Sequence, residues 1–229
     1  MQGGRRTPTG VFEEGARLSA ESRLRQLEAL NRMGLAETMY DEERYAEALA
    51  QAGSALELQE VSSNAVARVS VKRAIGLMHY QRGERAAARR FLEDSLEEAR
   101  GVAGRGWWLA DALACVAQLD VEVRRFDRAG LLPREALELS RTLGDRRMIA
   151  RCLERLAYLA ATQGRSARAL RLAAAADALR AAEGWLQSAV ESKTFERWLA
   201  PAEPGLSSCV QIAGWVAERY GPAAARHDP

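Results

Sequence analysis

The 229-residue chain has few of the residues that build disulfide frameworks and metal centres. It contains three cysteines and two histidines. No two cysteines form a C-x-x-C pair, and neither histidine lies at a zinc-finger spacing from a cysteine, so no zinc motif is present. We predict that the protein uses no metal and no cofactor. We also predict reduced thiols, as is usual for cytoplasmic proteins.

The chain also lacks a strong net charge and a long apolar run. Its 33 basic and 31 acidic residues leave a formal net charge of +2, which exerts no long-range attraction on nucleic acid or anionic lipid. No window approaches the ~18 consecutive apolar residues of a membrane helix, and no apolar run follows the N-terminal arginines. We therefore expect a cytoplasmic protein without membrane association, and direct nucleic-acid binding is not expected.

No catalytic motif is present. The sequence contains no G-x-S-x-G elbow, no H-E-x-x-H and no G-x-x-x-x-G-K-[ST] phosphate loop, so we assign no catalytic residue and predict that the protein is not an enzyme. His79 falls on the same helix face as Ile75, which predicts a packed side chain. The alternative is an enzyme with an unrecognised helical active site, which would show as a cleft of carboxylates that perturb one another.

What the chain does contain is an internal repeat. Segments 34–58, 74–98, 115–139 and 155–179 align without gaps, at separations of 40, 41 and 40 residues. One column holds an alanine in all four segments, and a second column, seven residues later, holds a small residue. The two columns are Ala48, Ala88, Ala129 and Ala169, and Ala55, Ser95, Ala136 and Ala176.

Small residues at fixed positions are what closely packed helices require. Each segment indicates two helices joined by a short turn, "DEER", "QRGER", "VRRF" or "TQGRS". Two helices approach closely only where neither presents a bulky side chain. A single helical hairpin cannot bury its apolar face, whereas stacked hairpins can. The repeat therefore predicts an all-α solenoid of about four helical hairpins.

The repeat resembles the tetratricopeptide repeat (TPR), in a longer form of about 40 residues. Within residues 24–184, the phrases "ALELSRTLGDRRMIARCLERLAYLAATQGRSARALRL" and "AAAADALRAAEG" are similar to the repeat region of bacterial regulators. Those are LuxR-type proteins related to the maltose-regulon activator and signalling ATPases of the STAND class. The resemblance implies a TPR-like fold and a sensor role in transcriptional regulation or signalling. Without a phosphate loop, the chain corresponds to the sensor portion alone.

The two ends of the chain differ from the repeats. Residues 1–18 show no periodicity, and we predict a disordered N-terminal segment there, before a repeat domain over 19–184. Residues 185–221 indicate two further helices with tryptophans, which suit a C-terminal helical cap of the solenoid. Residues 222–229 are predicted to be a flexible tail.

The stretch from 131 to 153, "LLPREALELSRTLGDRRMIARCL", begins like a LuxR-type DNA-binding domain. That domain needs a recognition helix next, but the chain continues "ERLAYLAATQG", which is apolar and small. The repeat accounts for the whole stretch, and Pro133 is then expected to kink a helix or to mark its effective start. A DNA-binding regulator that uses residues 131–153 as a degenerate helix-turn-helix remains an alternative.

A binding role follows from the repeat architecture. The first helix of each hairpin lines the concave wall of a solenoid, so its non-packing residues are candidates to bind a protein, a peptide or a small effector. Tyrosine and arginine dominate such sites. The predicted groove residues are Glu37, Tyr40, Asp41, Arg73, Leu77, Tyr80, Gln81, Asp111, Gln118, Glu122, Arg151, Arg155, Tyr158 and Thr162.

The tandem pair Trp107–Trp108 is a second candidate surface. Neighbouring residues of a helix point about 100° apart, so only one ring can enter the core. The other is expected to be exposed and to offer a partner surface. This leaves another alternative, a homodimeric helical-repeat protein that associates through its tryptophans.

Overall fold

We describe residues 7–60, 62 and 64–200 in a computed structural model. These residues form ten α-helices and no strand, which confirms the predicted all-α fold. The helices are α1 (Pro8–Glu21), α2 (Arg25–Asp41), α3 (Tyr45–Glu60), α4 (Ala65–Gln81), α5 (Arg85–Gly101), α6 (Trp107–Glu122), α7 (Phe126–Leu143), α8 (Arg146–Thr162), α9 (Ser166–Glu183) and α10 (Ala189–Leu199). None of the described helices is long and apolar enough to cross a membrane.

The four predicted repeats are four helical hairpins. Helices α2 and α3, α4 and α5, α6 and α7, and α8 and α9 pack as pairs. All eight small residues of the two alignment columns are 0% exposed. Contact between helices at these positions leaves no room for a larger side chain, which confirms the physical reason for the columns.

The hairpin turns share one backbone device. The second residue after the end of each first helix has a positive φ: Glu43 (61°), Gly83 (79°), Arg124 (59°) and Gly164 (71°). Only glycine adopts this left-handed conformation without a steric penalty. The turn is therefore the same in all four hairpins even where the residue type does not favour it.

The chain divides into two compact units, residues 1–104 and 105–229. Unit 1 contains α1–α5, with a core that includes Leu35, Met39, Ile75 and Met78. Unit 2 contains α6–α10, and every residue of α6 from 109 to 121 is buried. The sequence indicated one repeat domain over 19–184. The division instead falls inside that range, at the glycine-containing link between α5 and α6.

Residues 8–18 contradict the prediction of a disordered N-terminal segment, because they belong to α1. Thr7 caps the helix by accepting a hydrogen bond from the Gly10 N–H at 3.3 Å, and Pro8 occupies the first turn. The helix packs on α2, where the Phe12 ring lies over Gly34. The helix was missed because its docking uses glycine positions, which carry no hydrophobic signal.

We expect Gly34→Leu to displace α1 from unit 1. A Cβ atom at Gly34 would lie 2.4 Å from the Phe12 ring, so the ring and its helix must move. Hydrogen exchange should become faster over residues 8–21 and change little in α4 and α5. Gly53→Leu is the matched control, because a Cβ atom there meets nothing within 4 Å. Unchanged protection of α1 in Gly34→Leu would contradict this packing.

Helix α7 corrects one of the two expectations for Pro133. The helix begins at Phe126, so Pro133 lies inside it and does not mark its start. Proline has no N–H to donate to the carbonyl four residues earlier, and the surrounding contacts must support the helix there. Pro133 is buried, which supplies such contacts.

The predicted C-terminal cap is described in part. Its first helix is α10, which begins with a capping box in which Ser188 and Glu191 bond each other's backbone N–H groups. Helix α10 packs against α8. The second predicted cap helix, the flexible tail and residues 1–6 lie outside the described residues.

Candidate functional site

In unit 1, the predicted groove residues lie on α2 and α4. Glu37 and Asp41 are exposed on successive turns of α2, while Leu77 of α4 is half-buried. The Gln81 side chain donates a hydrogen bond to the Tyr40 hydroxyl at 3.3 Å, which joins the two helices. These residues form a continuous face that we call the α2–α4 face.

The environment of Tyr40 fixes its ring. The ring is half-buried and meets the Tyr45 ring edge-on, with 5.6 Å between centroids. A tyrosine held in this way contributes contact area at little entropic cost when a ligand binds. Arg73, also predicted to line the groove, is half-buried on α4.

Tyr80 corrects the prediction for this face. Its side chain is 2% exposed, so it packs in the core and is not available to a ligand. The guanidinium of Arg85 lies over the Tyr80 ring, 4.2 Å from its centroid. The sequence could not distinguish the two tyrosines, because Tyr40 and Tyr80 occupy the same column of the repeat.

In unit 2, most of the predicted groove residues lie in a polar network inside the fold. Asp111, Gln118 and Arg155 are 4%, 2% and 7% exposed, which corrects their assignment to an open groove wall. Glu122, Arg151, Tyr158 and Thr162 are half-buried. The Thr162 hydroxyl donates to the Tyr158 carbonyl of its own helix at 3.0 Å.

The charged part of this network joins three helices. Arg151 of α8 lies 3.4 Å from an Asp111 oxygen on α6 and donates to Glu191 of α10 at 3.5 Å. Glu154 of α8 forms an ion pair with Arg180 of α9. Because buried charges are tolerated only when paired, these contacts determine which helices can stack here.

Helix α10 covers the face of α8 that was predicted to bind a ligand. The Trp198 ring stacks on Tyr158, with 4.8 Å between centroids and 13° between planes. The Arg155 guanidinium lies 4.6 Å from the Trp198 ring centroid. In the described structure these residues therefore hold α10. The sequence reasoning did not identify Glu154, although a glutamate within the apolar run "RCLERLAYL" was a signal of a buried partner.

The tryptophan pair behaves as predicted. Trp107 is 46% exposed, while Trp108 is half-buried. The Trp108 ring packs on Gly106, where an added Cβ atom would lie 2.1 Å from it. Trp107 is thus the member of the pair that can reach a partner.

The residues with chemical reactivity are packed or paired. Cys115 and Cys152 are buried free thiols, and burial raises the pKa of Cys152 to about 12. Nδ1 of His79 contacts a Glu84 oxygen, and its ring stacks on Phe91 at 5.5 Å. Among the described residues, no three His, Cys, Asp or Glu side chains gather as a metal site would require.

The structure places residues 131–153 in α7, a short link and the start of α8, as the repeat predicts. Ten of the seventeen residues of α8 are buried, and this helix packs against α6, α7, α9 and α10. A recognition helix must present a free face to the major groove. The packing of α8 therefore argues against the helix-turn-helix alternative.

The hairpins and their turns define a class of protein, the TPR-like helical repeats of α-solenoid type. No protein-family model matches the chain, and no curated protein matches it. The fold is similar to the crystal structure of BtubC (BKLC) from P. vanneervenii, with a TM-score of 0.67 and 18% identity over 97% of this chain and 93% of that one. It is also similar to a Rap protein complexed with competence and sporulation factor, with a TM-score of 0.70 and 13% identity over 92% of this chain and 63% of that one.

Proposed function

We propose that this protein is a non-catalytic binding scaffold that recognises a protein or peptide partner through the α2–α4 face. The observation that carries the proposal is the state of this face after folding. Glu37 and Asp41 remain exposed beside half-buried Tyr40 and Leu77. The face thus combines an apolar strip with two carboxylates, and a partner with a basic group next to an apolar side chain would be complementary to it.

The comparisons support a binding role. The Rap protein was solved as a complex with competence and sporulation factor, and its helical architecture matches 92% of this chain. Helical repeats present long surfaces of adjacent helices, which suits them to bind other chains. The α2–α4 face is a surface of this kind, because Gln81 and Tyr40 connect its two helices.

The resemblance of the repeats to bacterial LuxR-type and STAND regulators supports a finer proposal. The chain would act as a sensor module in transcriptional regulation or signalling. A small effector is the alternative ligand for such a module. The mixed charge and extended form of the α2–α4 face favour a protein or peptide.

Charge reversal on the α2–α4 face tests the proposed function. We expect a tagged Glu37→Lys/Asp41→Lys variant to lose about tenfold or more of the partner that the wild type captures from native lysate, because an interface charge pair would become repulsive. The control is Asp94→Lys/Glu97→Lys, which makes the same charge change at exposed positions of α5. Circular dichroism should show that both variants are folded.

The outcomes separate the alternatives. Capture by the wild type and the control, with loss in the Glu37→Lys/Asp41→Lys variant, supports the proposal. Equal capture by all three proteins would exclude the α2–α4 face as the recognition surface. No specific capture by any of them would contradict the scaffold role.

A further inference from the structure

Unit 2 contains a cleft that is separate from the predicted groove. It lies between α7, the end of α8 and the start of α9, and it has a volume of about 430 Å³, which is within the usual range for ligand sites. Phe126, Leu156 and Leu159 contribute apolar surface, and Arg134, Arg165 and Arg168 also line it.

A missing side chain creates the space. Gly130, in the interior of α7, lines the cleft at a repeat position where the other hairpins have Leu49, Arg89 and Leu170. Leu170 is buried at 4% exposure, so a side chain at this position normally fills the gap between helices. An added Cβ atom at Gly130 would meet only Leu159, at 3.5 Å, which is an ordinary contact. Glycine disfavours a helix interior, and packing does not require it here.

The cleft carries positive charge that the fold does not neutralise. Arg134, Arg165 and Arg168 are exposed, and none of them forms an ion pair or a side-chain hydrogen bond with a described residue. One carboxylate, Asp127, also lines the cleft, so three arginines face one acid. Elsewhere in unit 2, Arg146 and Arg151 are paired with carboxylates.

We propose that this cleft binds an acidic segment of a partner protein. An apolar side chain of the segment would pack on Phe126, Leu156 and Leu159, in the space left by Gly130. Carboxylates on both sides of that side chain would pair with the arginines, whose guanidinium groups bind carboxylates in a bidentate manner. The three arginines come from α7, the α8–α9 turn and α9, so they follow a chain better than they surround one small anion.

This inference rests on the proposed scaffold function but assigns a second surface of opposite charge preference. The α2–α4 face carries carboxylates and suits a basic segment, whereas the cleft suits an acidic one. The two sites lie in different units, so their variants can be tested independently.

The test is fluorescence anisotropy with three labelled probes and the full-length protein. The main probe is a hexapeptide with leucine and phenylalanine between two pairs of acidic residues. The second probe replaces the two apolar residues with glycine. The third is a single-stranded DNA hexamer with the same fluorophore, which detects affinity for phosphate.

Two variants remove the two features of the cleft separately. Gly130→Leu fills the space, as Leu170 does in the next repeat, and Arg134→Glu/Arg168→Glu reverses the charge without touching the core. The controls are Gly53→Leu, in open space on α3, and Arg147→Glu/Arg171→Glu, at exposed positions of unit 2 outside the cleft.

We expect the wild type to bind the acidic–apolar peptide and to lose affinity as salt is raised. Each cleft variant, and the glycine-substituted peptide, should bind about tenfold or more weakly, as expected for the loss of an interface anchor. Both controls should bind like the wild type. No binding by the wild type, unchanged binding in Gly130→Leu, or preference for the DNA probe would overturn the proposal. If partner capture through the α2–α4 face persists in that case, only the cleft assignment fails.

Discussion

Replacing Glu154 with alanine should lower the free energy of unfolding of unit 2 by about 3–5 kcal/mol, the range for breaking a buried ion pair. Glu154 is 5% exposed. It pairs with Arg180, accepts a hydrogen bond from Gln187 at 3.0 Å and accepts one from Arg155 at 3.4 Å. Its removal leaves two buried guanidinium groups with less compensation, and that desolvation cost is the main part of the loss.

Urea denaturation followed by tryptophan fluorescence measures this effect in unit 2 alone. All five tryptophans of the chain lie after residue 105, so the signal does not report unit 1. The control is Glu183→Ala, which removes a surface carboxylate 3.0 Å from Arg146 and should cost at most about 1 kcal/mol. Similar losses in the two variants would show that the Glu154 contacts do not stabilise the fold as a buried network.

The second large effect is expected for Trp198→Ala, which should cost about 3–5 kcal/mol, as for other buried aromatic residues. Trp198 is 3% exposed. Its ring stacks on Tyr158 and lies 6.5 Å from the Phe195 ring in an edge-on arrangement. Since these contacts hold α10 on α8, the variant should also exchange amide hydrogens faster over residues 189–199.

Trp107→Ala is the matched control, because its ring is 46% exposed. Its loss should change the unfolding free energy of unit 2 by roughly 0.5 kcal/mol or less, as for surface substitutions in general. Hydrogen exchange of α10 that remains slow in Trp198→Ala would mean that contacts other than the Tyr158–Trp198 stack hold the helix on α8.

The hairpins could be predicted from the sequence because their physical requirement is local and repeated. Helix crossings require small residues, and Ala48, Ala88, Ala129 and Ala169 recur at the repeat spacing and are all fully buried. Helix α1 could not be predicted in this way. It docks once, through contact of Phe12 with Gly34, and a contact that occurs once produces no column.

The candidate site was predicted less well because residue type does not reveal which surface the next helix covers. Asp111 and Arg155 have side chains typical of an exposed surface, but both are buried. Their burial depends on partners distant in sequence, such as Arg151 for Asp111 and Trp198 for Arg155. On α2, Glu37 and Asp41 have no such cover and remain exposed, as predicted.

The left-handed residues of the hairpin turns show where the chain tolerates a change of length. Glu43, Gly83, Arg124 and Gly164 are 40, 41 and 40 residues apart. The distance from the start of a first helix to this residue is nearly constant, so the one extra residue lies between Gly83 and the start of α6. An insertion inside a hairpin would rotate its second helix by about 100° and turn its small residues away from the crossing. Chain length is therefore fixed within a hairpin, and the segment that joins the two units is the part that can vary.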